Sequence, residues 1–233
     1  MSDSCNQCWI ESPVVLRENL SVWIEKLRAN QERRLDDLFV LQRWLATKSA
    51  TTNLHFPCEI ELSEKPDFIL HMKGGSIGLE VTRFLAEQRA RATKIANQEK
   101  IGYSPTLFDF DSPKRNNTEI KGLVRNHNLG LETWRCSQDI VNLYCEKLHN
   151  IIKEKTKKVI KEGAQHFPNN WLVIEDQHFI SEHNLFLIKE LIETQLENYW
   201  KKQLSFNLIF FVSLTEKCQG IVLSPPPTTI KPF

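Results

Sequence analysis

Apolar residues recur at helical spacing near the start of the chain. Leu16, Leu20, Trp23, Ile24 and Leu27 fall on one face, and Leu35, Leu38, Phe39 and Leu45 continue the pattern after the charged stretch QERR. A period of 3.6 with one apolar face predicts helix. Ser12-Pro13 has the form of a helix start, with Ser12 as N-cap and Pro13 at the first helical position. The expectation is one bent helix or a helical hairpin up to about Thr47, with a break at SATTN. The period then changes to two. Phe68, Leu70 and Met72 alternate with Asp67, Ile69 and His71; Ile77, Leu79 and Val81 alternate with Gly78, Glu80 and Thr82. Alternation of this kind predicts two strands. Gly74-Gly75 suits the tight turn between them, so the pair reads as a β-hairpin. A further strand near residues 57–62 precedes it.

Residues 84–100 read as a charged helix. Residues 101–132 are rich in Asn, Ser, Pro, Gly, Lys and Arg with little periodicity, and so long an irregular loop is uncommon in a compact domain. A long helix is predicted over residues 137–162, a buried strand at 171–175, a helix at 184–202, a second buried strand at 206–214 and a short third at 220–223. The proline-rich tail lacks the backbone donors for a helix or a central strand. The alternation of elements favours an α/β fold with a mixed central sheet flanked by helices. The expected organisation is a helical segment over residues 1–48 packed on an α/β domain at 49–224, with the irregular loop at 101–132 and a tail at 225–233.

Composition narrows the classes but names no partner. The chain has 233 residues and a formal net charge of +1, so any polyanion would have to be met by lysines gathered on one face. No apolar run approaches the ~20 residues that span a bilayer, and the N-terminus lacks a signal-peptide pattern. A cytoplasmic protein with no membrane partner is expected. The six cysteines then read as free thiols. Cys5 and Cys8 form a lone CxxC, a poor zinc signal without a second pair. There is no Walker-type glycine loop, GxSxG, HExxH or dinucleotide fingerprint. His178 and His183 have no convincing ligand spacing.

The hairpin carries the chemistry. Asp67 opens one strand and Glu80 lies inside its neighbour, so the two can meet on one face of the sheet while Leu79 and Val81 point to the other. A carboxylate within a buried strand is costly unless compensated, and two close together repel. A divalent cation relieves both penalties, and oxygen-only ligands suit Mg²⁺ or Mn²⁺. A polar strand edge, or an ion pair of Glu80 with an arginine such as Arg83, would serve as well. Glu59 and Glu61, in the strand before, are further candidate metal ligands or simply a solvated edge. Glu175 and Asp176 end the strand at 171–175, where they either join the site or begin a polar turn.

Pro66-Asp67, a turn, and then Gly78-Leu79-Glu80-Val81-Thr82 resemble the PD-(D/E)xK nuclease superfamily. The resemblance implies a restriction-endonuclease-like fold with an αβββαβ core and metal-dependent hydrolysis of phosphodiesters, DNA rather than RNA. It makes Asp67 and Glu80 the metal ligands. The family's lysine, two residues after the acid, is here replaced by Thr82, which becomes a nearby hydroxyl.

The long helix offers a lysine from elsewhere. Val141, Tyr144, Leu148, Ile151, Ile152 and Val159 form an apolar arc with Lys155 near its centre. A lysine there either reaches the carboxylates or snorkels to solvent. In the irregular loop Lys114, Arg115, Lys121 and Arg125, with Asn116, Asn117, Asn126 and His127 among them, are candidate contacts to nucleic-acid phosphates, as are Arg89 and Arg91 on the preceding helix. A homodimer is an open arrangement. The Thr82 departure also supports a rival: a nuclease fold that has lost its chemistry and binds nucleic acid or assembles with other proteins.

Overall fold

Strands that alternate cleanly in sequence form a sheet with two different faces, and both faces here are covered. The computed structural model describes residues 7–13, 15–28, 34–103, 108, 112–126, 138–161, 167–177, 182–201, 205–213 and 220–225. Seven strands run in sequence order across one mixed sheet: β1 (Gln7–Ile10), β2 (Cys58–Leu62), β3 (Phe68–Met72), β4 (Gly75–Phe84), β5 (Asn169–Asp176), β6 (Leu208–Ser213) and β7 (Gly220–Leu223). β1, β2, β3 and β4 pair antiparallel in succession, β4, β5 and β6 pair parallel, and β7 returns antiparallel to β6.

The helices divide between the faces. α1 (Leu16–Arg28), α2 (Leu35–Leu45) and α3 (Lys48–Asn53) cover one face. There Leu41 and Trp44 pack with Leu79, Val81, Val173 and Phe210. α6 (Gln138–Lys161) and α7 (Glu182–Lys201) cover the other, against Phe84, Leu172, Ile174 and Phe211. The central run WLVI of β5 is apolar at every position because its side chains enter both cores in turn, as expected of a strand between two parallel neighbours. α4 (Glu87–Glu99) and α5 (Asn117–Arg125) form a smaller unit around Phe108, Ile120 and Val124.

Several elements differ from the sequence expectation. α1 and α2 are two helices, as the hairpin alternative expects, but α1 starts at Leu16, so Ser12 and Pro13 lie in the turn before it. Residues 7–10, expected within a helical segment, instead add an edge strand, with Cys8 and Ile10 in the core. Cys8 is therefore a buried core thiol whose pKa burial pushes up to about 11. SATTN is not a break: α3 runs through it, capped by the Thr47 hydroxyl, which accepts from the Ala50 N–H. The 101–132 stretch is not wholly irregular. Asn116 and Glu119 form a reciprocal capping box that starts α5. The hairpin loop is Lys73-Gly74, one residue earlier than expected, because Met72 pairs with Gly75. Gly75 carries the positive φ of 126°, a conformation that glycine adopts freely. Cys5, Cys136, Cys218, His127, His178, residues 226–233 and the side chain of His183 lie outside the described residues.

Gly78 matters for a different reason. It lies between Ile69 of β3 and Asn170 of β5. A Cβ there would come within 2.5 Å of Asn170 Oδ1, 2.9 Å of Phe167 Cδ2 and 3.1 Å of Pro66 Cγ. Gly78→Ala is expected to destabilise the fold by about 1–3 kcal/mol through overpacking. The check is the midpoint of urea unfolding, which should fall with no change in slope.

Candidate active site

The β3–β4 register fixes the acid pair. Phe68 is opposite Leu79, and both belong to the core under α2. Glu80, the next residue after Leu79, faces α6, and Asp67, just before β3, comes beside it at the strand end. Asp67 Oδ2 accepts a hydrogen bond from the Val81 N–H at 2.9 Å, so the carboxylate takes the place of a ladder partner. Its Oδ1 accepts from Arg34 Nη2 at 3.3 Å. Arg34 stands just before α2 and is held in several ways. It donates to the backbone carbonyls of Asp67, at 3.2 Å, and Ser63. Its Nε lies 3.5 Å from Asp37, and its guanidinium sits over the Phe68 ring.

Glu80 has a different cation. Lys155 of α6 places its Nζ 3.2 Å from Glu80 Oε2 and donates to the Val81 carbonyl at 3.0 Å. The side chains of Glu80 and Lys155 are 11% and 18% exposed, so the pair is largely withdrawn from water. Lys155 therefore lies on the apolar arc of α6, whose Val141, Leu148, Ile152 and Val159 are buried, but does not snorkel away: its ammonium turns to the acid. Burial pushes the Glu80 pKa up, the charge of Asp67 adds to this, and Lys155 and Lys158 oppose it.

Asp37 of α2 is a third acid in the same field. Its pKa is raised by burial first and then by Asp67, against the pull of Arg34 and Lys155. No local pattern shows α2 bringing Arg34 and Asp37 to the hairpin, since that depends on how α2 docks across the sheet. Asp37, Asp67 and Glu80 thus share one field with Arg34, Lys155 and, further out, Lys158.

The donor set suits a hard divalent ion. Among the described residues no group of three or more His, Cys, Asp or Glu side chains is arranged to hold a metal ion. Two carboxylates with water completing the shell is nevertheless the way Mg²⁺ is commonly bound beside a phosphate substrate. The mutual repulsion of Asp67 and Glu80 is the penalty such an ion would relieve.

Other candidates are placed elsewhere. Glu59 and Glu61 share the face of Glu80 but belong to β2, about two strand spacings (~10 Å) away. Glu61 is engaged there: its Oε2 lies 2.9 Å from His71 Nε2, and His71 Nδ1 lies 2.9 Å from Ser76 Oγ. Thr82, the next residue after Glu80 on the same face, lines a cleft along α6. Glu175, fully buried, faces α2, where Arg43 and Arg83 pair with it and Gln177 donates to it. It is a structural anion. Asp176 is buried toward α6, near Tyr144, whose phenol pKa is pushed well up by burial and then by the Asp176 charge.

The expected phosphate contacts are largely committed within the α4–α5 unit. Lys121 and Arg125 reach Glu99 at 3.4 and 2.8 Å. The Arg115 N–H donates to Gln88, and its guanidinium lies over the Phe108 ring. Arg91 pairs with Glu87, Arg89 is buried, and Lys114 is exposed. No helix among the described residues is long and apolar enough to cross a membrane. In comparison with known proteins, no family model, curated protein or solved structure matches this chain.

Proposed function

We propose that the chain is a divalent-metal-dependent nuclease that hydrolyses DNA phosphodiester bonds on a restriction-endonuclease-like core. The observation that carries this reading is the Lys155–Glu80 contact. The strand offers Thr82 where the family pattern has lysine, and an ammonium from α6 comes to the acid instead. Asp67 and Glu80 would hold Mg²⁺ or Mn²⁺. Asp37 adds negative charge close by. Bound there, the ion supplies Lewis acidity toward a phosphoryl oxygen and lowers the pKa of the attacking water.

The chain's own groups supply the rest. Lys155 favours the ionised form of Glu80 and offers positive charge where charge grows on the phosphoryl oxygens. Arg34 fixes Asp67 by binding both its carboxylate and its backbone carbonyl. Thr82 lines the cleft through which a strand would approach. Plasmid DNA with Mg²⁺ or Mn²⁺ tests the reading. Cleavage by the wild type is expected, and none by Asp67→Ala or Glu80→Ala. Cleavage that survives both substitutions overturns this site.

One observation favours a second reading. Arg34 and Lys155 already give each carboxylate a protein cation, as in a nuclease fold that binds nucleic acid without cutting it. Binding without cleavage under any divalent metal would select that alternative.

A further inference from the structure

Beside Lys155, the partner of Glu80, lies a cleft of ≈ 510 Å³. Thr82 of β4 and Ile151 of α6 line it, and along α6 so do Lys155, Lys157, Lys158 and Lys161. Four ammonium groups therefore share one wall with a single carboxylate, Glu154. Lys155 is committed to Glu80. Lys157 reaches Glu154 only at 3.9 Å, with both side chains exposed, a pair of little strength. Among the described residues, Lys158 and Lys161 have no ion-pair partner. Lys158 is nonetheless close enough for its charge to act on Glu80, so the row of lysines runs out from the acid site.

Like charges three and four apart weaken a helix. The helix dipole offsets part of this for Lys158 and Lys161 in the last turn, but it does not account for their gathering on one cleft. From Lys155 to Lys161 the helix rises ~9 Å, close to the axial rise of about three nucleotides in one strand of a duplex.

We infer that this cleft is the backbone-binding track for duplex DNA, with Lys157, Lys158 and Lys161 contacting successive phosphates beside the one presented to Asp67 and Glu80. The inference rests on the nuclease reading for its choice of polyanion. It moves the polyanion interface from the α4–α5 unit to α6. The contacts are to phosphate, so they set position and salt dependence and carry no base sequence.

The test is binding of a labelled duplex in EDTA, followed by fluorescence anisotropy across a KCl series of about 50 to 200 mM. The triple variant Lys157→Gln, Lys158→Gln, Lys161→Gln should bind about 10- to 100-fold more weakly, with a log–log salt slope shallower by about 2–3. A charge-matched control, Lys48→Gln, Lys189→Gln, Lys201→Gln, should keep the wild-type slope. Circular dichroism confirms that both variants fold. Equal losses in the two triples, no loss in the first, or no wild-type binding would overturn the inference. So would wild-type binding to anionic vesicles with the same lysine dependence and none to duplex. If the slope depends on these lysines but no metal supports cleavage, the track stands and the hydrolysis proposal falls. If cleavage depends on Asp67 and Glu80 while the triple variant binds like wild type, the reverse holds.

Discussion

Glu80→Gln is expected to abolish metal-dependent DNA cleavage, a loss of about 10³-fold or more, while leaving the fold intact and less sensitive to pH. Glutamine has the same shape, and its amide oxygen can still accept from Lys155. What it lacks is the charge that a hard cation needs. The pH effect follows from the raised Glu80 pKa, caused first by burial and then by Asp67. In the unfolded chain Glu80 releases its proton near the ordinary value of 4.5. In the folded chain it holds the proton to higher pH. Between the two values the folded state binds more protons, so stability falls as pH rises. The contribution is fully present below the unfolded pKa and is lost through the folded one. Glu80→Gln removes that slope, and unfolding curves across the mildly acidic range should be flatter than those of the wild type. Divalent metal provides a second readout that does not depend on turnover. Saturating Mg²⁺ or Mn²⁺ should raise the wild-type Tm, by linkage worth about 2.7 kcal/mol at a hundred times Kd, and should barely move that of Glu80→Gln. An equal Tm rise in both proteins would mean that the metal binds elsewhere.

The hairpin was legible because alternation and register are local. Once Phe68 and Leu79 are assigned to one core, the opposite face for Glu80 follows, and the hairpin brings Asp67 beside it. Lys155 was legible as an anomaly, a lysine within an apolar arc, and the arc is long enough for the periodicity to be read. Elements whose stability comes from partners were not. β1 has four residues, too few for a period to emerge, and its order comes from pairing with β2. α3 buries only Ala50, so KSATTN offers no apolar stripe, and its Thr47 cap is the one local cue. In α5 the Asn116–Glu119 capping box is a local cue, but only Ile120 and Val124 of its nine residues are buried, too few for an apolar period to emerge. Charges mislead further. Lys121 and Arg125 look free in sequence, yet Glu99, more than twenty residues earlier, takes up both. Arg34 and Asp37 enter the site only through the docking of α2, which no local pattern encodes.

Lys155→Met should separate the lysine from the acids it serves. Methionine fills similar space on α6, where Lys155 lines the cleft with Ile151 and Thr82. Cleavage is expected to fall by about 10²–10³-fold, the loss typical of one donor aimed at developing charge. Metal affinity should not fall with it. Removing an ammonium 3.2 Å from Glu80 leaves the acid site more negative, so a cation binds there as well as before or more tightly, provided Glu80 is ionised. That condition gives the third readout. Lys155 lowers the Glu80 pKa by its charge and its hydrogen bond. Without it burial and Asp67 act unopposed by this group, and the pKa rises further. The acidic limb of the pH–rate profile should then move to higher pH, a shift that repacking alone would not produce. Lys155→Arg keeps the charge but exchanges a compact ammonium for a planar fork, so it should leave that limb nearer its wild-type position while restoring only part of the rate. If Lys155→Met cleaves at the wild-type rate with an unshifted profile, the ammonium contributes only to packing, and the lysine missing from the strand has not been supplied by α6.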